Sequence, residues 1–200
     1  MKARDKAQLV ILVHGFNVRD GGKRTIGRLR RFFEDRGCEV VDYRYGWVGI
    51  LGAIFGLEKQ SRQLTALCRS GCIVVAHSHG CNVAHEAVWH YAPIRRMCYI
   101  SPALDRDAAL PPRERTRLER VDVWYSEVDG PVRWSRRLPW NRWGEMGATG
   151  YIGGDKRYLN FDRVDIGGGE FGGLKHSGVF QEGGVLEFWG NRIADCILSG

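Results

Sequence analysis

No apolar run in this chain is long enough to cross a bilayer. The longest, Trp47 to Leu57, falls far short of the roughly 20 residues that a spanning helix needs. The start, Met1 to Gln8, is short and charged and lacks the apolar stretch of a signal peptide. A cytoplasmic protein without a transmembrane segment is therefore expected, with export by lysis or by a specialised system left open. The six cysteines, at 38, 68, 72, 81, 98 and 196, include no close CxxC pair, which argues against a metal site. Reduced thiols behaving as small buried hydrophobes are expected in place of disulfides, although Cys68 and Cys72 stand at a spacing that would let a bridge cross a helix end. No helix-turn-helix, zinc-finger or RNA-recognition pattern accompanies the scattered basic residues, so nucleic acid is not an expected partner. There are no internal repeats and no low-complexity segment apart from the glycine-rich stretch Gly167 to Gly173.

What is present is enough for one sizeable core: 200 residues, 44% of them apolar, expected to form a single domain over 1–200. A net charge of +7 and an isoelectric point near 9.3 favour encounter with anionic material, such as acidic lipids or envelope polymers. Along the chain, apolar runs alternate with helical spacing. Leu9–Val13, 38–43, 72–76, 97–100, 121–126 and 158–166 read as strands. Thr25 to Asp35, Glu58 to Arg69, His79 to Tyr91 and the stretch carrying Val185, Trp189, Ile193 and Ile197 read as helices. This alternation predicts an α/β chain with a mostly parallel sheet of about six strands and helices on both faces.

The chemistry concentrates at Ile73-Val74-Val75-Ala76-His77-Ser78-His79-Gly80, an apolar strand running into a serine flanked by small residues and then into a helix. A strand-to-helix turn this tight leaves room only for small side chains two positions either side of the serine, and it lifts the hydroxyl above the sheet edge. Ala76 and Gly80 supply that room, alanine standing where glycine is usual. Three further features join it. The strand Leu9–Val13 ends in His14-Gly15-Phe16-Asn17. The strand at 121–126 delivers Glu127 and Asp129 in a turn closed by Gly130-Pro131. Last, His176 follows the glycine-rich stretch and precedes the final helix, giving the chain order serine, acid, histidine.

On these residues the chain resembles the α/β-hydrolase fold enzymes from Leu9 to Leu198, in a minimal form, because no antiparallel strand pair precedes Leu9. The resemblance implies Ser78 as nucleophile, Asp129 as triad acid with Glu127 as its nearest rival, and His176 as base. It implies an oxyanion hole made by the backbone N–H groups of Phe16 and His79. It also implies hydrolysis of a small-molecule or lipid-like carboxylic ester through an acyl-enzyme, of esterase or lipase type, with no metal and no cofactor. Thioesterase or acyltransferase chemistry would use the same groups. So would none at all, in a catalytically silent module bound to an envelope or anionic surface.

His14 is expected to orient the oxyanion loop, and His77 and His79 to shape the pocket. Trp47 opens an apolar insertion that either lines an acyl pocket or forms a short core helix with close-packing glycines. Arg133 to Trp143 interleaves arginines with Trp134, Trp140 and Trp143, and reads either as a lid or recognition loop or as a solvated loop pinned by tryptophans. The match of Gly167 to Gly172 to G-x-G-x-x-G has no βαβ unit after it, and the stretch is expected to be a flexible loop that lets His176 reach Ser78.

Overall fold

The computed structural model describes residues 7–47, 49–130, 143–172 and 174–199. Six strands, β1 (Leu9–Val13), β2 (Glu39–Tyr43), β3 (Cys72–His77), β4 (Ile94–Ile100), β5 (Arg120–Tyr125) and β6 (Tyr158–Asp162), form one sheet in the order β2-β1-β3-β4-β5-β6. Every pairing is parallel. Among the described residues the helices are α1 (Arg30–Glu34), α2 (Ile50–Phe55), α3 (Leu57–Leu67), α4 (His79–Trp89), α5 (Met146–Thr149), α6 (Arg163–Phe171) and α7 (Gly184–Leu198). A 3₁₀ turn, Ile26–Leu29, leads into α1, so the helical spacing from Thr25 is met by two tight pieces in succession.

Successive side chains of a strand face opposite ways, and a sheet covered on both faces therefore needs unbroken apolar strands. In β1 all five residues are buried. Leu9, Ile11 and Val13 join Val74, Ala76 and Tyr99 against Leu64 of α3 and Val83, Ala87 and Val88 of α4. Val10 and Leu12 join Val75, Ile100 and Trp124 against Phe32 and Phe33 of α1 and Trp189, Ile193 and Ile197 of α7. Each such aliphatic side chain contributes about 2 kcal/mol when fully buried. All six cysteines are free thiols. Among the described residues no helix is long and apolar enough to cross a membrane.

Two readings of the sequence are corrected. The strand expected over 158–166 stops at Asp162, whose carboxylate accepts the Val164 N–H at 2.8 Å and caps α6. Gly167 to Phe171 then belongs to that helix, kinked at Gly168 (φ 57°), and is not a loop. A Cβ at Gly167 would lie 2.5 Å from the Gly172 nitrogen and 2.9 Å from Trp189 Cζ2. Gly167 thus admits a close approach to Trp189 of α7, which is the other reason a chain uses glycine. Gly173 lies outside the described residues.

The strand order reverses at β1, whose neighbours β2 and β3 leave on opposite sides. In open parallel sheets such a switch point opens a crevice beyond the carboxyl ends of the strands. His14-Gly15-Phe16 and Ser78 both lie there.

Candidate active site

Ser78 separates β3 from α4 with φ 55° and ψ −124°, a conformation costing on the order of 1–3 kcal/mol for a residue with a side chain. The surroundings hold it. Its N–H donates to the Ile100 carbonyl at 3.0 Å, and its own carbonyl accepts from Cys81 and Ala103. Ala76 is fully buried between Val13 and Tyr99 in the register of its neighbours. At Gly80 a Cβ would drive into the His14 and Val13 carbonyl oxygens, the latter at 2.7 Å. Both obstacles are backbone, so Gly80→Ala should destabilise the fold by about 3 kcal/mol. Chemical denaturation tests this, and an unchanged midpoint would mean that the elbow can move away from β1.

Asp129 and Glu127 leave β5 in the same turn, but only one is enclosed. Asp129 is fully buried and its N–H returns to the Ser126 carbonyl at 2.9 Å, whereas Glu127 is exposed. His176 Nδ1 lies 2.9 Å from Asp129 Oδ1 and 3.0 Å from Oδ2, so Nδ1 is the donor and carries a proton. The histidine's carbonyl is held separately, by Ser101 Oγ at 3.0 Å and by His77 Nε2 at 3.3 Å. Ser101 follows β4 and His77 ends β3, so the His176 backbone is fastened at the carboxyl end of the strand that Ser78 follows. The ring of His77 is 4.8 Å from that of His176. Ser78, half-buried, makes no hydrogen bond to His176 among the described residues; such bonds commonly tighten only with substrate bound.

The loop after β1 presses on the elbow, with a Cβ at Gly15 falling 3.0 Å from Ser78 Cβ. Neither the Phe16 N–H nor the His79 N–H is used in the turn and cap hydrogen bonds around it. His14 is buried; its Nδ1 donates to the Gly15 carbonyl at 2.8 Å, and its ring stacks on Tyr45 at 4.0 Å. The Tyr45 hydroxyl donates to the His14 carbonyl at 2.6 Å. Trp47 is exposed, with its indole N–H on Asn17 Oδ1 at 2.7 Å, and α2 follows with Ala53 buried and Phe55 outside.

His77 and His79 diverge from the elbow. His77 packs between His176 and Phe180, while the His79 Nδ1 accepts from Trp143 Nε1 at 3.2 Å. Burial holds both neutral, taking His77 well below the usual imidazole range and His79 down to about 4, with the neighbouring His176 and His14 respectively adding to the effect. Trp143 also lies against Phe16, ring centroids 5.0 Å apart. Trp134 and the rest of the arginine- and tryptophan-rich segment up to Arg142 lie outside the described residues. Among the described residues no cluster of side chains is suited to a metal ion.

Three solved structures share this architecture. Alpha/beta hydrolase domain-containing protein 10 from mouse superposes with a TM-score of 0.57 at 14% identity, over 98% of this chain and 91% of its own. The esterase domain of a Rhodothermus marinus protein gives 0.55 at 11%, over 96% and 88%. Lipase B of Aspergillus fumigatus gives 0.53 at 16%, over 88% of this chain but 50% of the lipase, of which this chain spans half the length. The chain has the α/β-hydrolase fold. At these identities the likeness is one of fold. No family model matches the sequence, and neither does any curated protein.

Within the α/β-hydrolase fold the site also holds groups that sequence reasoning missed. Ser101, Tyr45 and above all Arg163 carry no motif. Arg163 opens α6 with its side chain 1% exposed, and its Nη2 lies 3.7 Å from Asp129 Oδ2. Nothing in the sequence pointed to it, since the strand expected over 158–166 ran through its position.

Proposed function

We propose that this protein is a serine hydrolase that cleaves small-molecule or lipid-like carboxylic esters through an acyl-enzyme. The observation that carries the reading is a buried carboxylate, Asp129, bonded through both oxygens to Nδ1 of a histidine fastened over a strained serine. Attack by Ser78 Oγ on the ester carbonyl passes the hydroxyl proton to His176 Nε2, and Asp129 stabilises the imidazolium. The oxyanion is received by the N–H groups of Phe16 and His79, each such donor being worth about 3 kcal/mol of barrier. Collapse breaks the bond to the leaving alcohol, which takes the proton from Nε2. Water activated by the same nitrogen then releases the acid and restores Ser78. Trp47 and Trp143 flank the oxyanion loop and are assigned to the walls of the substrate cleft.

Intact-mass analysis after exposure to an alkyl fluorophosphonate tests the reading. One adduct is expected, with loss of fluoride, on the peptide that contains Ser78, and 4-nitrophenyl acyl esters should be turned over by the unlabelled protein alone. A folded protein that takes no label and cleaves none of the esters would overturn it.

A further inference from the structure

Arg163 is a large cation in an apolar place. Its residue exposure is 0%, its Nε reaches the Tyr125 carbonyl only at 3.4 Å, and neither Nη atom has a hydrogen-bond partner among the described residues. Burial without such partners costs an arginine heavily, enough that its pKa is pulled down despite the nearby carboxylates Asp129 and Asp162. A guanidinium serving only to fill space would be better replaced by an apolar side chain of similar volume. Its location supplies a reason for the charge. The register sets Asp162 beside Tyr125, so the next residue, Arg163, falls alongside the turn that carries Asp129. That brings Nη2 to 3.7 Å from the carboxylate oxygen that also faces His176.

We propose that Arg163 is a positioning residue of this site: it gives the Asp129 carboxylate a buried counter-charge and so sets the pH range over which His176 takes and returns its proton. The inference rests on the triad reading above. Among the described residues the charged and titratable groups around this cluster are Asp162 on β6, Tyr125 on β5, His77 on β3, which burial keeps neutral, and Glu127, exposed on the turn itself. Of these Asp162 offers Arg163 a second negative charge, and its Oδ1 accepts the Val164 N–H.

The sign follows from Coulomb's law. A cation behind Asp129 offsets the carboxylate's attraction for the imidazolium and repels it directly, so Arg163 disfavours the protonated ring. Removing it lets His176 hold its proton to higher pH, and the acid limb of kcat/KM moves up by about one unit. Arg163→Met is compared with Arg163→Lys, which keeps the charge, by the pH profile for a 4-nitrophenyl ester and by NMR observation of His176 ring protonation. The expected result is an upward move in Arg163→Met and little change in Arg163→Lys. A folded Arg163→Met protein with both curves unmoved would overturn the proposal.

The NMR curve needs no turnover. A protein that fails to take fluorophosphonate yet shows the upward move would reject the hydrolase reading and leave the electrostatic coupling standing. Should Arg163→Met fail to fold, Asp129→Asn is compared with the Asp129→Asn, Arg163→Met double variant. Once its counter-charge is gone the arginine is a burden, and the double variant is expected to unfold at the higher denaturant concentration. A further fall would overturn the pairing.

Discussion

Ser78→Ala should reduce kcat for ester hydrolysis on the order of 10⁶-fold, while the denaturation midpoint stays where it was. The two expectations have separate physical sources. The rate depends on the Oγ atom, because without it no acyl-enzyme forms and only the pre-oriented hole is left to assist a water molecule. Stability depends on the backbone, which remains at φ 55° whether the side chain is CH₂OH or CH₃, and which Ile100, Cys81 and Ala103 hold through main-chain hydrogen bonds. Initial rates on purified protein, with the alanine variant measured at high concentration to expose residual turnover, check the first. Urea unfolding checks the second. Loss of less than tenfold in rate would remove Ser78 from the chemistry and leave the strained turn as a structural feature of the fold.

The strands that build the site were legible because each is decided locally. β1 and β3 must be apolar at consecutive positions to be covered by helices on both sides, and Leu9–Val13 and Cys72–His77 are. The elbow was legible for a related reason: Gly80 sits against the His14 and Val13 carbonyls, so the tightness of the turn leaves a mark in the sequence as a small residue. Asp129 and Glu127 could not be told apart from spacing alone, since both follow β5 in one turn. Burial separates them, and burial is set by distant residues, Arg163 from α6 and His176 from the loop before α7.

Glycine misled where its two uses leave the same letter. Gly167 to Gly172 read as a flexible loop, but Gly167 lies where Gly172 and Trp189 leave no space for a Cβ. The end of β6 was hidden because Val164 and Ile166 alternate with charged residues as a strand would, although out of phase with Leu159 and Phe161, and the helix cap at Asp162 decided the boundary. Asp162 followed by Asp165 is an acceptable helix start, with acidic side chains where the free N–H groups point, and is the clue that would have found α6. Arg163 left no such clue. An arginine after a strand is ordinarily a solvated end, and only the parallel pairing of β5 with β6 turns it inward.

Asp129→Asn should lower kcat about 10⁴-fold and destabilise the protein by about 3 kcal/mol, two losses from one substitution at nearly constant volume. On the proposed mechanism the rate falls because an amide cannot stabilise the imidazolium and can present its NH₂ to Nδ1, which drives the ring proton to Nε2, the nitrogen assigned to accept from Ser78. The stability falls because the Arg163 guanidinium, with its side chain 1% exposed, loses the carboxylate at 3.7 Å. Neither loss is expected of Glu127→Gln, whose side chain is exposed beside the cavity of about 390 Å³ that it lines with Glu145, Ala148 and Thr149. Measuring kcat and the urea midpoint on both variants therefore separates the acid of the site from its neighbour two residues away. If Glu127→Gln carried the rate loss while Asp129→Asn cost only stability, the buried cluster of Arg163, Asp129 and His176 would be a structural ion pair, and the general base would have to be oriented from the solvent side. The contact of both Asp129 oxygens with His176 Nδ1 argues for the opposite outcome, because it sets an enclosed carboxylate against the ring that serves as base in the proposed mechanism.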